Sequence, residues 1–270
     1  MKASVIISTY NSPEWLKKVL LGYSVQTETN FEIVIADDGS TIETRQLIED
    51  ISIATKLSIT HVWQEDEGFQ KSKILNKAIV ESKSNYLIMS DGDCIPRQDF
   101  VSTHLSHRKE GYFLSGGYFM LPDDISQSIT DEDILSQRCF DLDWLKEKGL
   151  KSSFKNTKLY NNKLLLSLLN KLTTTNASWN GHNASGWKKD ILAVNGFDER
   201  MQYGGQDREL GERLFNYGIK SKQIRYSAIC LHLDHPRGYK TKESIDKNKQ
   251  IRKHTRSKSV VKTEFGIQKH

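Results

Sequence analysis

The chain of 270 residues carries a net charge of +5, with 37% hydrophobic and 27% charged residues, a balance that suits one large globular α/β domain and excludes disordered and fibrous classes. No apolar run nears the roughly 18 residues that a bilayer crossing needs, and the apolar residues 5–7 are too few for the core of a signal peptide, so residence in the cytosol is the expectation. Cys94, Cys139 and Cys230 are odd in number and form no C-x-x-C pair, which argues against a disulfide framework or a structural zinc site.

Residues 3–8 are β-branched and apolar, the pattern of a buried strand. Ser12-Pro13 then offers an N-cap with proline at the first helical position, opening an amphipathic helix to about residue 25. Residues 31–36 form the next strand, broken by Asp37-Asp38-Gly39-Ser40. Residues 41–52 read as helix, 59–64 as a third strand, 70–82 as a helix with Ile74, Ala78 and Ile79 inward, and 86–90 as a fourth strand. This alternation predicts right-handed βαβ units: an α/β fold with a mostly parallel central sheet flanked by helices. Ligands of such sheets bind beyond the carboxyl ends of the strands. The polar clusters at 8–11, 37–40 and 91–94 each follow a strand, so all three converge on one edge.

From 121 to 180 the pattern loosens into a Lys-, Asn- and Leu-rich stretch, read as a helical insertion or lid. Order returns over 181–239, with a short strand at its start, a helix near 188–194, a second helix over 207–217, and a strand over 224–231 that ends at a histidine loop. Residues 240–270 are a basic C-terminal tail, helical or disordered. From Arg237 onward there are eleven Lys/Arg against three acids, a net of +8, leaving −3 for the rest. Such a tail either binds an anionic membrane leaflet or nucleic acid, or is simply solvated.

Asp91 and Asp93 are two apart at a strand end, so in extended backbone both face one side, and Gly92 between them allows close approach of a phosphate or metal. Hard carboxylate oxygens suit Mg²⁺ or Mn²⁺, which neutralises charge on a diphosphate leaving group. Alone, the triplet is also an ordinary turn; its alignment with the other two clusters is what favours a site. Asp37 and Asp38 exceed what one helix cap needs and could accept from a uracil N–H or from ribose hydroxyls. Lys71 and Lys73, in the first turns of the helix after Phe69, could reach phosphates. His232 and His235 are three apart and could hold one ion from a turn, or be ordinary buried histidines. Gly204-Gly205-Gln206-Asp207 opens a helix, and Asp207 is either a first-turn acid or a general base.

In this order, Ser8-Thr9-Tyr10-Asn11, Asp37-Asp38-Gly39-Ser40 and Asp91-Gly92-Asp93 resemble family 2 glycosyltransferases with the GT-A fold. Asp66-Glu67-Gly68-Phe69, Asn76-Lys77-Ala78 and Asp91-Gly92-Asp93-Cys94-Ile95-Pro96 look like the bacterial branch typified by chondroitin polymerase domains. Asn195-Gly196-Phe197-Asp198 and Gly204-Gly205-Gln206-Asp207 resemble the C-terminal module of β-1,4-galactosyltransferases. The resemblance covers roughly 3–120 and 181–239. It implies a nucleotide-sugar-binding half over 1–120, and an acceptor-binding, catalytic half over 181–239. The implied enzyme is inverting and uses Mn²⁺ or Mg²⁺ and a UDP-sugar, with galactose favoured. Its acceptor would be a saccharide of a surface polysaccharide (lipopolysaccharide or capsule) or of a lipid-linked glycan.

The same resemblance makes Asp207 the base and Asp93, His235 and His232 the metal ligands. Thr9, Asp37, Asp38, Lys71, Lys73, Asp91 and Gly92 would bind the donor. Trp187 would be a sugar-stacking platform, or else a core tryptophan, and Gly204, Gly205 and Gln206 would lie on the acceptor side. Galactosyltransferases carry an acidic run after the glycine pair where this chain has Gln206-Asp207-Arg208. A nucleotidyltransferase would need a Gly-rich basic loop after the first strand, and residues 8–12 hold neither glycine nor a basic residue. No helix-turn-helix, zinc-finger or RNA-binding motif is present, so nucleic acid is not an expected partner.

Overall fold

The computed structural model describes residues 1–234 and 241–269. The first half follows the alternation: β1 (Ala3–Thr9), α1 (Pro13–Ser24), β2 (Phe31–Asp37), α2 (Ile42–Thr55), β3 (Ile59–Trp63), α3 (Lys71–Glu81), β4 (Tyr86–Asp91), β5 (Cys94–Pro96), α4 (Phe100–His107), β6 (Tyr112–Ser115) and β7 (Gly117–Met120). Then come α5 (Asp123–Ser128), α6 (Asp131–Leu135), α7 (Leu142–Glu147) and α8 (Lys163–Leu172). The chain re-enters the sheet with β8 (Ala184–Trp187) and continues through α9 (Lys188–Ala193), α10 (Gln206–Asn216), β9 (Lys220–Gln223), β10 (Ile229–His232) and α11 (Lys242–Ser257). Among the described residues no helix is long and apolar enough to cross a membrane.

The main sheet has the order β3-β2-β1-β4-β8-β6-β9. β1, β2, β3 and β4 are parallel, and their register sets Thr9 beside Asp37 and Ser8 beside Asp91. The three polar clusters therefore do leave the sheet at one edge. Side chains alternate along β1, with Val5 and Ile7 in the core layer under α1 and α2, and Ile6 in the layer shared with α3, α9 and α10.

β8 breaks the parallel pattern. It runs antiparallel to both β4 and β6, pairing Met89 with Ala184 and Tyr86 with Trp187. The residues entering β8 thus lie at the carboxyl end of β4, and Trp187 lies at the opposite end. A second, three-stranded sheet, β5-β10-β7, sets His232 beside both Cys94 and Met120. The strand read in sequence over 224–231 is shorter, β10 alone, and β9 precedes it in the other sheet.

Two expectations change. The 121–180 segment is no loose lid: Ile125, Ile129, Ile134 and Leu145 are buried in the same core as α1, and Lys17 pairs with Asp131 at 2.6 Å. The basic tail is built in. Asn248 and Thr255 of α11 are buried, Thr255 donates to Glu209 at 2.9 Å, and Arg252 pairs with Glu212. Beyond α11, Asn195 donates to the carbonyls of Thr263 and Gln268, and Asp198 accepts from Thr263 at 2.9 Å. The Asn195–Asp198 motif therefore clamps the terminus.

Candidate active site

A cleft of about 710 Å³ opens over the carboxyl ends of β1 and β4. Its floor is a charge cluster. Asp91 Oδ1 accepts from Ser8 Oγ and from Lys71 Nζ, each at 2.7 Å, while the Gly92 N–H donates to the Ser8 carbonyl at 2.8 Å. A Cβ at Gly92 would sit 3.1 Å from that carbonyl oxygen, so glycine keeps the turn tight. Burial works against the Asp91 charge, but Lys71 outweighs it and holds the carboxyl below its ordinary range. Lys71 likewise loses solvation and gains more from Asp91 and Asp207, so its pKa rises.

Asp207 reaches this cluster from the second residue of α10. Gly204 and Gly205 turn the chain with φ of 111° and 90°, a region glycine enters without strain, and Asn248 holds the bend by donating to the carbonyls of Gln202, Tyr203 and Gly204. Burial pushes the Asp207 carboxyl up to about 6, partly opposed by Lys71 and reinforced by Asp91. Its Oδ1 and the Thr9 hydroxyl are buried atoms on the cleft wall with no hydrogen-bond partner among the described residues. Atoms in that state are suited to bind a ligand.

Asp93 and His232 meet because β10 pairs with β5. The Leu233 N–H donates to the Asp93 carbonyl at 2.9 Å, and His232 Nε2 lies 3.8 Å from Asp93 Oδ2. His232 Nδ1 donates to the Leu233 carbonyl at 2.9 Å, which turns Nε2 toward Asp93. The Cys94 thiol shares this corner within 4.8 Å. Burial raises its pKa well above the ordinary value and it donates to Asp93 Oδ1. The donors that fit a divalent cation are thus one carboxylate and one imidazole, a nitrogen and oxygen set suited to Mn²⁺.

Of the residues singled out in the sequence, Thr9, Asp38, Lys71, Asp91, Gly92, Asp93, Gln206, Asp207 and His232 line the cleft. Asp37 does not: it is fully buried, bonded to His61 Nε2 and to the Ser40 N–H at 2.8 Å each, and holds the turn. Asp38 does line the cleft; burial raises its carboxyl pKa, against the Gln70 N–H and the Gln64 amide. Lys73 pairs with exposed Glu67 outside the cleft. Gly204 and Gly205 face Ile245 and Arg252 of α11, so they shape the approach of Asp207 and not the cavity wall. Trp187 stacks edge-on against Tyr86 at 5.2 Å at the far end of the sheet, because β8 runs backwards. His235 lies outside the described residues.

Sequence reasoning missed His182. It lines the cleft just before β8, its ring 4.7 Å from that of Tyr118 and 6.4 Å from that of His232. Burial drives its pKa down to about 4, against the pull of Asp91, so it is neutral at pH 7. Its only signal, a polar Asn180-Gly181-His182-Asn183 run, gains meaning once β8 is known to be antiparallel.

Residues 4–133 match the family model "Glycosyl transferase family 2". The chain is 27% identical to a Bacillus subtilis protein named uncharacterized glycosyltransferase YfnE, over 92% of this chain and 69% of that protein. It is 25% identical to an Escherichia coli chondroitin synthase over 86% of this chain, spanning 35% of that protein. Two solved structures share its fold. One is a Pyrobaculum calidifontis mannosyltransferase in complex with GDP-Man and Mn²⁺ (TM-score 0.59, 16% identity, 88% of this chain and 58% of that one). The other is Staphylococcus aureus TarS 1-349 in complex with UDP-GlcNAc (TM-score 0.58, 16% identity, 88% and 60%). With the parallel sheet and the acidic cleft at its edge, these likenesses assign residues 4–133 to a family 2 glycosyltransferase domain, in a chain that has the GT-A fold.

Proposed function

We propose that this enzyme transfers a hexose or N-acetylhexosamine, galactose by preference, from a UDP-sugar to a sugar hydroxyl of a bacterial surface polysaccharide or lipid-linked glycan, with inversion. The observation that carries the reading is Asp207: a carboxyl on the wall of the nucleotide-side cleft, raised to about 6 and with one oxygen unpartnered. That is the state of a general base waiting for a hydroxyl.

In this reading Asp207 takes the acceptor O–H proton as the acceptor oxygen forms its bond to the anomeric carbon. The bond from that carbon to the diphosphate breaks on the opposite face, and UDP leaves. Asp38 and Thr9 hold the nucleoside. Lys71, fixed by Asp91, and neutral His182 face the diphosphate. Asp93 and His232 would hold Mn²⁺ or Mg²⁺, which supplies positive charge to the leaving group. Gln206 lies on the acceptor side. The bound ligands of the two structural neighbours, GDP-Man with Mn²⁺ and UDP-GlcNAc, support a nucleotide-sugar donor and a cation.

The test is a calorimetric and transfer panel of UDP-sugars with Mn²⁺. Asp207→Asn should abolish transfer with donor affinity nearly unchanged. Equal loss of both would remove Asp207 from the role of base, and no binding of any UDP-sugar would overturn the donor assignment.

A further inference from the structure

Helix α8 is seated on the body by its inner face. Leu166 is buried, and Asn170 accepts from the Tyr226 N–H at 2.9 Å and donates to Ser227 Oγ at 2.8 Å. Its outer face is apolar. Leu164, Leu168 and Leu172, at i, i+4 and i+8, form one stripe and are 85%, 51% and 67% exposed. Just upstream, Phe154 is 73% exposed. Seating the helix does not require this outer stripe.

The chain on either side of α8 carries charge of one sign. Residues 148–180 contain no Asp or Glu, but they contain Lys148, Lys151, Lys155, Lys158, Lys163 and Lys171. Lys148, Lys151, Lys155 and Lys171 are exposed. Exposed leucines on one helical face, in a stretch of chain rich in lysine and without a carboxylate, match the chemistry of an anionic lipid interface: acyl chains below, phosphates at the rim. A second copy of this chain would set lysine against lysine, which is repulsive.

We propose that α8 docks this protein peripherally on an anionic bilayer, with Leu164, Leu168 and Leu172 at the acyl boundary. The segment leading into α8 touches the cleft wall, since Lys158 donates to the Tyr118 carbonyl at 2.8 Å and Tyr118 lines the cavity beside His182. That coupling suits an acceptor carried on a lipid, although the docking stands independently of the sugar-transfer reading. It also moves the membrane face away from the basic tail, whose helix is fastened to α10 through Arg252 and Thr255.

The experiment is flotation of the full chain with phosphatidylcholine vesicles, with and without phosphatidylglycerol, alongside Leu164→Ser/Leu168→Ser/Leu172→Ser. The native chain should float with anionic vesicles only, and the triple variant should lose about tenfold or more in bound fraction with melting temperature and UDP-sugar affinity unchanged. The native cysteines are all buried, so a polarity-sensitive dye on Leu168→Cys should shift to the blue on those vesicles. Equal flotation of the triple variant would overturn the proposal. So would absence of native flotation, or a triple variant that changes oligomeric mass while vesicles leave the dye unmoved, because the stripe would then be a protein contact. Donor binding without flotation sinks the docking alone, and flotation without donor binding sinks the transfer reading alone.

Discussion

Replacing Asp207 by asparagine should make the protein more stable while destroying transfer. Burial raises this carboxyl from 3.8 to about 6, so the folded state binds the proton more tightly than the unfolded chain. For an acid raised in the native state, stability falls as pH climbs from near 4 to near 6, and ionised Asp207 is a burden above that. Two units correspond to about 3 kcal/mol at neutral pH. That shift already contains the opposing pull of Lys71, so the substitution should gain up to about 3 kcal/mol, or roughly 6–12 °C in melting temperature for a chain of this size. Calorimetric scans of native protein and Asp207→Asn at pH 7.5 and 4.5 read the effect. The gain should be present at the higher pH and shrink at the lower. A variant less stable at pH 7.5, or a gain that grows on acidification, would refute burial as the cause of the raised pKa. The native enzyme's kcat/KM should also fall on its acid limb near pH 6.

Lys71→Met strips Asp91 of its cation and should cost about 2 kcal/mol in urea unfolding, with the acid limb moving to higher pH because Asp207 loses the charge that opposes its burial; an unmoved limb would place Lys71 outside the cluster. Asp93→Ala and His232→Ala should make UDP-sugar affinity indifferent to Mn²⁺ or chelator in titration calorimetry, and full retention of metal dependence by both would remove this corner as the cation site. Glu209→Ala leaves fully buried Arg213 without its partner and should destabilise by about 3–5 kcal/mol; a denaturation midpoint close to native would contradict that. Asn248→Ala frees three carbonyls behind Asp207 and should lower kcat more than donor affinity, at about 1–2 kcal/mol of stability. A loss confined to donor affinity would argue against a role in placing the base.

The first half of the fold was legible because its signals are local. Each strand of β1 to β4 is an apolar run ended by a polar cluster, and parallel register does the rest. What was not legible depends on direction and facing. Asp37 and Asp38 are neighbours at a strand end, where successive side chains take opposite sides, and only the fold decides which one meets the cleft. β8 is four residues, Ala184–Trp187, too short to announce its orientation, so His182 gave no signal and the choice between a sugar platform and a packed tryptophan at Trp187 stayed open until the strand's direction was known. The tail looked solvated because the inward residues of α11, Ser244, Asn248 and Thr255, are polar and make no hydrophobic period. Their partners are carbonyls and the Glu209 carboxylate, which a hydrophobic pattern does not register.

The reversed strand has one more effect. Met120 ends β7 and His182 precedes β8, and both line the cleft, so everything between them leaves from the cavity rim and returns to it. The two ends are pinned by strand pairing, β7 to β10 and β8 to β4, while the length and content between them are not. That segment is therefore a port in the fold. Through it, new surface can be added beside the cleft without altering the sheet that positions its residues, and in this chain it holds α5 to α8, the last of which carries the leucine stripe.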